Sequence, residues 1–168
     1  MIERQHVDGA TRSVARYSPC ETYRYDLTRV WAEGPRLLYV MLNPSKATEL
    51  ANDPTVERCE RRARALGYGA FRVANIFALR ETDPHLMRRH PAPDGPGNDA
   101  ALRDGADWAD HILAAWGVHG AHRGAGPRAA QLLRDTGRPL FHLGLTKDGH
   151  PRHPLYVAYA QPLIRWET

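Results

Sequence analysis

Leu42-Asn43-Pro44-Ser45 closes a continuous apolar run, Leu37-Leu38-Tyr39-Val40-Met41-Leu42, on an amide and a hydroxyl. A side-chain amide both donates and accepts, so at a strand end it can read the edge of a base or hold a water. Asn75 stands in a second run, Phe71 to Phe77, in the same way. Each Asn could instead satisfy local backbone at a turn, as Asn commonly does. Ser45 and Thr48 have hydroxyls that could contact a ligand or cap the following turn. Asp53 and Asp83 both precede proline, the pattern of a helix N-cap, and Asp53 follows the Asn43 loop closely enough to reach a shared crevice. A further loop, residues 144–156, combines Gly144 and Gly149 with Lys147, Arg152 and the proline-pinned step His153-Pro154.

Other chemistries lack their patterns. There is no Gly-x-Ser-x-Gly elbow for a nucleophilic serine, no phosphate loop and no dinucleotide fingerprint. His119 and His122 could meet His142 or His153, yet no carboxylate lies at ligand spacing, so neither a metal nor a cofactor is expected.

The elements that must position these residues alternate between strand and helix. Residues 12–31 alternate polar and apolar and carry Tyr17, Tyr23, Tyr25 and Trp31, which predicts a short antiparallel strand pair leading in. The runs 37–42, 71–77, 111–116 and 139–143 read as strands buried on both faces. Helices are predicted over 54–66, just after Pro84, over 99–110 and from Gly126 to about Thr136, with 91–98 a Pro/Gly loop. This pattern predicts an α/β fold: a three-layer α/β/α sandwich on a mostly parallel four-stranded sheet, plus the N-terminal pair, forming one domain over residues 1–168. Ligands of such sheets bind beyond the strands' carboxyl ends. Residues 43–47, 75–80, 117–123 and 144–153 would therefore line the site.

The bulk properties agree with a single core. The chain has 168 residues, a formal net charge of +4 and nine histidines. This mild basic excess permits an anionic partner through phosphate contacts. Two cysteines, Cys20 and Cys59, are too few for a disulfide framework and read as reduced thiols of a cytoplasmic protein. No apolar run is long enough to span a membrane, and no obligate protein partner is evident.

Taken together, Met41-Leu42-Asn43-Pro44-Ser45-Lys46-Ala47, Asn52-Asp53-Pro54-Thr55, Asn75-Ile76-Phe77-Ala78-Leu79-Arg80, Thr82-Asp83-Pro84, Gly95-Pro96-Gly97-Asn98-Asp99, Trp116-Gly117 and the closing segment 143–156 resemble an uncharacterised bacterial family. Its pattern is roughly LNPS-TA, DDPT, N-F-R-TDP, GP-ND and WG, and the likeness covers residues 12–166. More distantly, the order of elements is similar to the uracil-DNA glycosylase superfamily, particularly its mismatch-specific branch.

That second resemblance implies a uracil-DNA-glycosylase-like fold and a DNA N-glycosylase activity with DNA as partner. Asn43 would position the attacking water, with Asp53 a base beside it, and His153 would assist the departing base. Asn75 would read the flipped base, with Phe77 and Ser45 lining its pocket. Leu155 or Tyr156 would wedge into the duplex, and Arg80, Arg123, Lys147 and Arg152 would hold phosphates. Ser45 stands where the superfamily has glycine, and Leu155 where the His-Pro loop carries serine. Those departures point away from ordinary uracil toward a modified or damaged base, in DNA repair or in antiviral defence against phage DNA. Two alternatives remain at this level: a non-catalytic nucleic-acid or nucleotide binding module, and a hydrolase of free nucleosides.

Overall fold

The structure is a computed structural model and describes residues 1–167. Its strands are β1 (Ile2–Asp8), β2 (Thr11–Tyr17), β3 (Arg24–Val30), β4 (Arg36–Met41), β5 (Ala70–Asn75), β6 (His111–Ala114), β7 (Leu140–His142) and β8 (Ile164–Arg165). The helices are α1 (Pro54–Ala65), α2 (Pro84–Arg89), α3 (Asn98–Trp108) and α4 (Ala125–Asp135), with 3-10 segments at Val118–Gly124 and Pro154–Tyr156. All eight strands join one sheet in the order β1-β2-β3-β5-β4-β6-β7-β8.

This overturns the expected mostly parallel four-stranded sheet, and the uracil-DNA-glycosylase-like fold expected with it. The sheet is mixed. Pairings β4–β5, β4–β6 and β6–β7 are parallel, whereas β1–β2, β2–β3, β3–β5 and β7–β8 are antiparallel. The N-terminal strands do not merely lead in. Through β3 they pair along the edge of β5, residue by residue from Asp26 opposite Ala74 to Val30 opposite Ala70.

The missed strands have physical reasons. β1 (IERQHVD) is an edge with most residues exposed, so no buried face imposes an alternation. β8 is two exposed residues, Ile164 and Arg165, too short to carry any period.

The central strands alternate between two cores. Leu38, Val40, Ala74, Ile112, Ala114 and Trp116 pack on one face with Met87 of α2, Leu102 and Ala106 of α3, and Ala129, Ala130 and Leu133 of α4. Leu37, Tyr39, Met41, Phe71, Val73 and Leu113 pack on the other with Val56, Cys59 and Ala63 of α1. Each Leu, Val, Ile, Met or Phe side chain among them contributes about 1.5–3 kcal/mol by leaving water. That two-sided burial makes β4 read as an unbroken apolar run.

The strand ends are stitched beyond the strands themselves. The Ile76 N–H donates to Met41 O (2.9 Å), Phe77 N–H to Leu42 O (3.0 Å) and Ala115 N–H to Val40 O (2.8 Å). Side chains following β4 and β5 are thus presented from rigid backbone. Among the described residues, no helix is long and apolar enough to cross a membrane.

Candidate active site

Asn43 leaves the end of β4 half-buried. Its Nδ2 donates to the carbonyls of Pro44 (3.2 Å), Leu79 (3.1 Å) and Glu81 (2.7 Å), bracing the loop after β4 against the loop after β5. Ser45 adds to the same seam, its Oγ lying 3.0 Å from Thr82 Oγ1. The Glu81 N–H donates to Pro44 O at 2.9 Å. All the donors of the Asn43 amide point into this seam, while its Oδ1 makes no hydrogen bond among the described residues. The amide plane is therefore fixed, with one acceptor unspent.

Asn75, the last residue of β5, is 1% exposed. The period of two along β5 puts Phe71 and Val73 in the α1-side core, and Asn75 follows them onto that face. Both Nδ2 and Oδ1 are buried without a partner. An amide left so costs about 1–3 kcal/mol, a penalty that a core usually avoids. The turn explanation considered for Asn75 does not apply, because the side chain bonds nothing local.

Asp53 caps α1. Its Oδ1 accepts from Val56 N–H at 2.9 Å and its Oδ2 from Ala47 N–H at 3.2 Å, with Pro54 at the first helical position. Both oxygens are thus held by backbone. The capping role accounts for its position, while the fixed negative charge acts on its surroundings.

His153 precedes the 3-10 turn Pro154–Tyr156 and packs beside Gly117, where a Cβ would sit 3.5 Å from that of His153. Burial drives its imidazole down to about 4, and the Asp53 carboxylate pulls it the other way by less. His153 is therefore neutral near pH 7. Its Nδ1 accepts from Leu155 N–H at 3.3 Å, so the ring proton of the neutral form is on Nε2. An uncharged donor results.

Two arginines of α1 hold this loop in place. Arg58 Nε donates to Pro154 O (3.2 Å), and Arg62 donates to the carbonyls of Gln161 (3.2 Å), Val157 (3.2 Å) and Ala158 (3.3 Å). The Arg58 guanidinium also lies 4.4 Å from the centre of the Tyr159 ring. A 520 Å³ cavity opens alongside, lined by Gly144, Arg152, Tyr156, Val157 and Gln161 among others. Leu155 is 38% and Tyr156 81% exposed, side by side in the 3-10 turn.

The remaining expected residues scatter. Arg80 donates to Glu21 O (3.2 Å) and its guanidinium lies 5.0 Å from the Tyr17 ring centre. Lys147 is exposed at the turn closed by Gly149 N–H to Thr146 O. Phe77 is wholly buried in the core on the α2–α4 side, with its ring 5.7 Å from that of His122. It lies across the sheet from the Asn75 side chain, so the two do not share a pocket. Arg123 is on the same far side of the fold, donating to Pro91 O at 3.1 Å.

Sequence reasoning missed Arg24. This first residue of β3 is 1% exposed, with Nη1 on Ala47 O (2.7 Å) and no carboxylate within ion-pair distance among the described residues. Its Nε is unpartnered. Burial pushes its pKa down to about 10, against an opposing pull from Asp53. An arginine that alternates with apolar neighbours reads as solvent-facing, but the loop carrying Ala47 lies against its guanidinium. Among the described residues, no group of three or more His, Cys, Asp or Glu could hold a metal ion.

His153 and Arg24 both feel the fixed charge of Asp53, while the braced amide of Asn43 and the unpartnered amide of Asn75 end the adjacent strands β4 and β5. No curated protein and no solved structure matches the chain. One family profile does, over residues 24–155, from Arg24 at the start of β3 to Leu155 after the His-Pro step. That span contains all five of these groups and omits β1, β2 and β8. The chain belongs to this family, described as a protein of unknown function (DUF1643).

Proposed function

We propose that this protein is a DNA N-glycosylase that hydrolyses the N-glycosidic bond of a flipped, modified or damaged base. The observation that carries the proposal is Asn75, whose amide is buried with neither polar atom satisfied. A planar ligand edge offering one donor and one acceptor would complete it, and a nucleobase has such an edge. The likeness of the Asn43-Pro44, Asn75 and His153-Pro154 positions to motifs of the uracil-DNA glycosylase superfamily supports the same reaction class, whereas the order of elements lends it nothing.

In the reaction, the bond from C1′ to the base nitrogen breaks with its electron pair leaving on the base. Water forms the new bond to C1′ and loses its proton to solvent. Asn43 Oδ1, its amide pinned by three carbonyls, orients that water. The Nε2–H of His153 donates to the base as negative charge develops on it, and the neutral ring spends no energy desolvating an imidazolium. Asp53 serves as a fixed negative charge favouring the cationic sugar, rather than as the proton acceptor. Leu155 and Tyr156 would fill the space vacated in the stack, with Arg152 and Lys147 on phosphates.

The test is a panel of oligonucleotides carrying normal, oxidised, alkylated and hypermodified bases, treated with alkali to break abasic sites. Mass spectrometry of bases released from genomic DNAs, including phage DNAs with modified bases, identifies the substrate. Strand breaks on one member, reduced about 100-fold in Asn43→Ala, are expected, a loss typical of removing one placed polar group from a site. Full cleavage by Asn43→Ala would overturn the water-positioning assignment. Tight binding with no cleavage of any base would make the protein a binding module, and release from free nucleosides alone would make it a nucleoside hydrolase.

A further inference from the structure

On the α2–α4 side of the sheet, away from the core that receives Asn75, a 270 Å³ cavity is lined by His85, Arg88, Arg89 and His122. Every lining side chain is a cation or an imidazole, and no carboxylate is among them. We propose that this cavity, formed by α2 and the segment Val118–Gly124, binds a phosphate group.

Its volume is several times the roughly 30 Å³ share of one water, ample for a phosphate with part of its hydration. Arg88 and Arg89 are exposed and make neither an ion pair nor a hydrogen bond among the described residues. Their donors remain available, and a guanidinium fork matches phosphate oxygens well. His122 Nε2 is buried with no partner.

The backbone holds His122 in place at a cost. The segment leaves helical geometry at His122 (φ −57°, ψ 126°), and Arg123 adopts the left-handed region (φ 57°, ψ 17°). A non-glycine residue there costs about 1–2 kcal/mol and persists only when its surroundings insist on it. Here they do: a Cβ at Gly120 would overlap the Trp116 indole, and Arg123 is tied to Pro91 O. His119 bridges the two elements, its ring edge-to-face with His85 at 5.4 Å. Burial and then the nearby positive Arg88 push the His119 imidazole below its ordinary value, while Asp83, the cap of α2, opposes them more weakly. The lining carries two guanidinium groups and no carboxylate, as an anion site requires.

Phosphate could come free, as a terminal monoester, or as a diester of a nucleic-acid backbone. Histidine-ring NMR on the full chain separates these, titrating with inorganic phosphate, a 5′-phosphorylated oligonucleotide and its unphosphorylated twin, against chloride at matched ionic strength. Inorganic phosphate is expected to shift the His122 ring signals saturably where chloride does not. Preference for the phosphorylated oligonucleotide would identify a monoester ligand, and equal binding of the two a backbone diester. The double substitution Arg88→Gln/Arg89→Gln should weaken binding by roughly tenfold or more, having removed both charged forks. His122→Gln should weaken it too, whereas Asn75→Leu should leave it unchanged. Identical responses to phosphate and chloride, or unaltered binding in the arginine double variant, would overturn the site. Neither result bears on base excision, which is read by strand breaks.

Discussion

The antiparallel half of the sheet and the ends of its parallel strands bury polar groups on opposite terms. In the antiparallel half nearly every one is matched. Asp26, 1% exposed, receives Arg16 Nε at 2.9 and 3.0 Å on its two oxygens, and Arg16 continues to Asp104 at 3.2 Å. Arg29 donates to Asn52 Oδ1 and Thr48 O at 2.9 Å each, Arg72 to Thr28 Oγ1 at 2.8 Å, and Tyr17 to Glu49 at 3.0 Å. At the end of β5, Asn75 has neither atom paired, and the first residue of β3, which starts at the same end of the sheet, is the antiparallel half's exception: Arg24 Nε has no acceptor. Arg62, Asn98 and Arg134 also leave one buried atom unmatched. Among the described residues, only Asn75 has both of its side-chain polar atoms buried without a partner. Matched polar groups hold a fold together, and unmatched ones mark where it is incomplete without something else.

The strongest way to sharpen this contrast is at Asp26. Asp26→Asn breaks a pair whose carboxylate is buried, and should destabilise the protein by about 3 kcal/mol in urea unfolding. It should leave the oligonucleotide specificity unchanged. A loss below about 0.5 kcal/mol would place the pair among ordinary surface bridges.

His153 offers the next effect, through pH. Its folded value lies near 4, below the unfolded value of about 6.5, so between these the unfolded chain binds a proton that the folded one refuses. Its contribution to stability is complete above about pH 6.5 and is lost as pH falls toward 4, with a slope of at most about 1.4 kcal/mol per pH unit. Unfolding midpoints of His153→Gln should fall less steeply across that window than those of the parent chain. Parallel acid limbs would show that the imidazole is hydrated.

Asn75→Leu inverts the usual direction. Replacing an unsatisfied amide with an apolar group of similar size should raise stability by about 1 kcal/mol while abolishing base excision. A drop in stability would mean that internal water already satisfies the amide, and the contrast between the two regions would dissolve. The smallest expected effect is at Leu155. Leu155→Ala should slow action on duplex about threefold more than on single strands, a typical cost for one exposed contact. Equal losses on both would remove the wedge.

The legibility of the chain follows the same divide. β4 and β5, buried on both faces, announce themselves as apolar runs, and Asp53-Pro54 and Asp83-Pro84 mark helix starts that both form as expected. Sheet extent was not legible. β1 is a polar edge, and nothing local tells β3 to pair with β5, which lies 40 residues on beyond β4. Within the site, Asn43, Asn75, Asp53 and His153 were readable as polar residues at element ends. Phe77 came only from the glycosylase resemblance, and likeness of motif does not fix which core a residue past the strand end enters. Arg24 and the His122 cavity were invisible, since each depends on a loop folding over it.

The arginine straps from α1 to residues 154–161 have a kinetic consequence. Five guanidinium-to-carbonyl bonds and a Tyr159 ring fasten the segment carrying His153 to a helix that is itself rooted in the core. A receptor so fastened cannot swing open to admit its guest. On the proposed reading, the work of exposing the base then falls on the nucleic acid, and turnover should track how readily each site unpairs. A base already loosened by a mismatch or by bulky chemistry would be taken first, giving selectivity before any hydrogen bond is made.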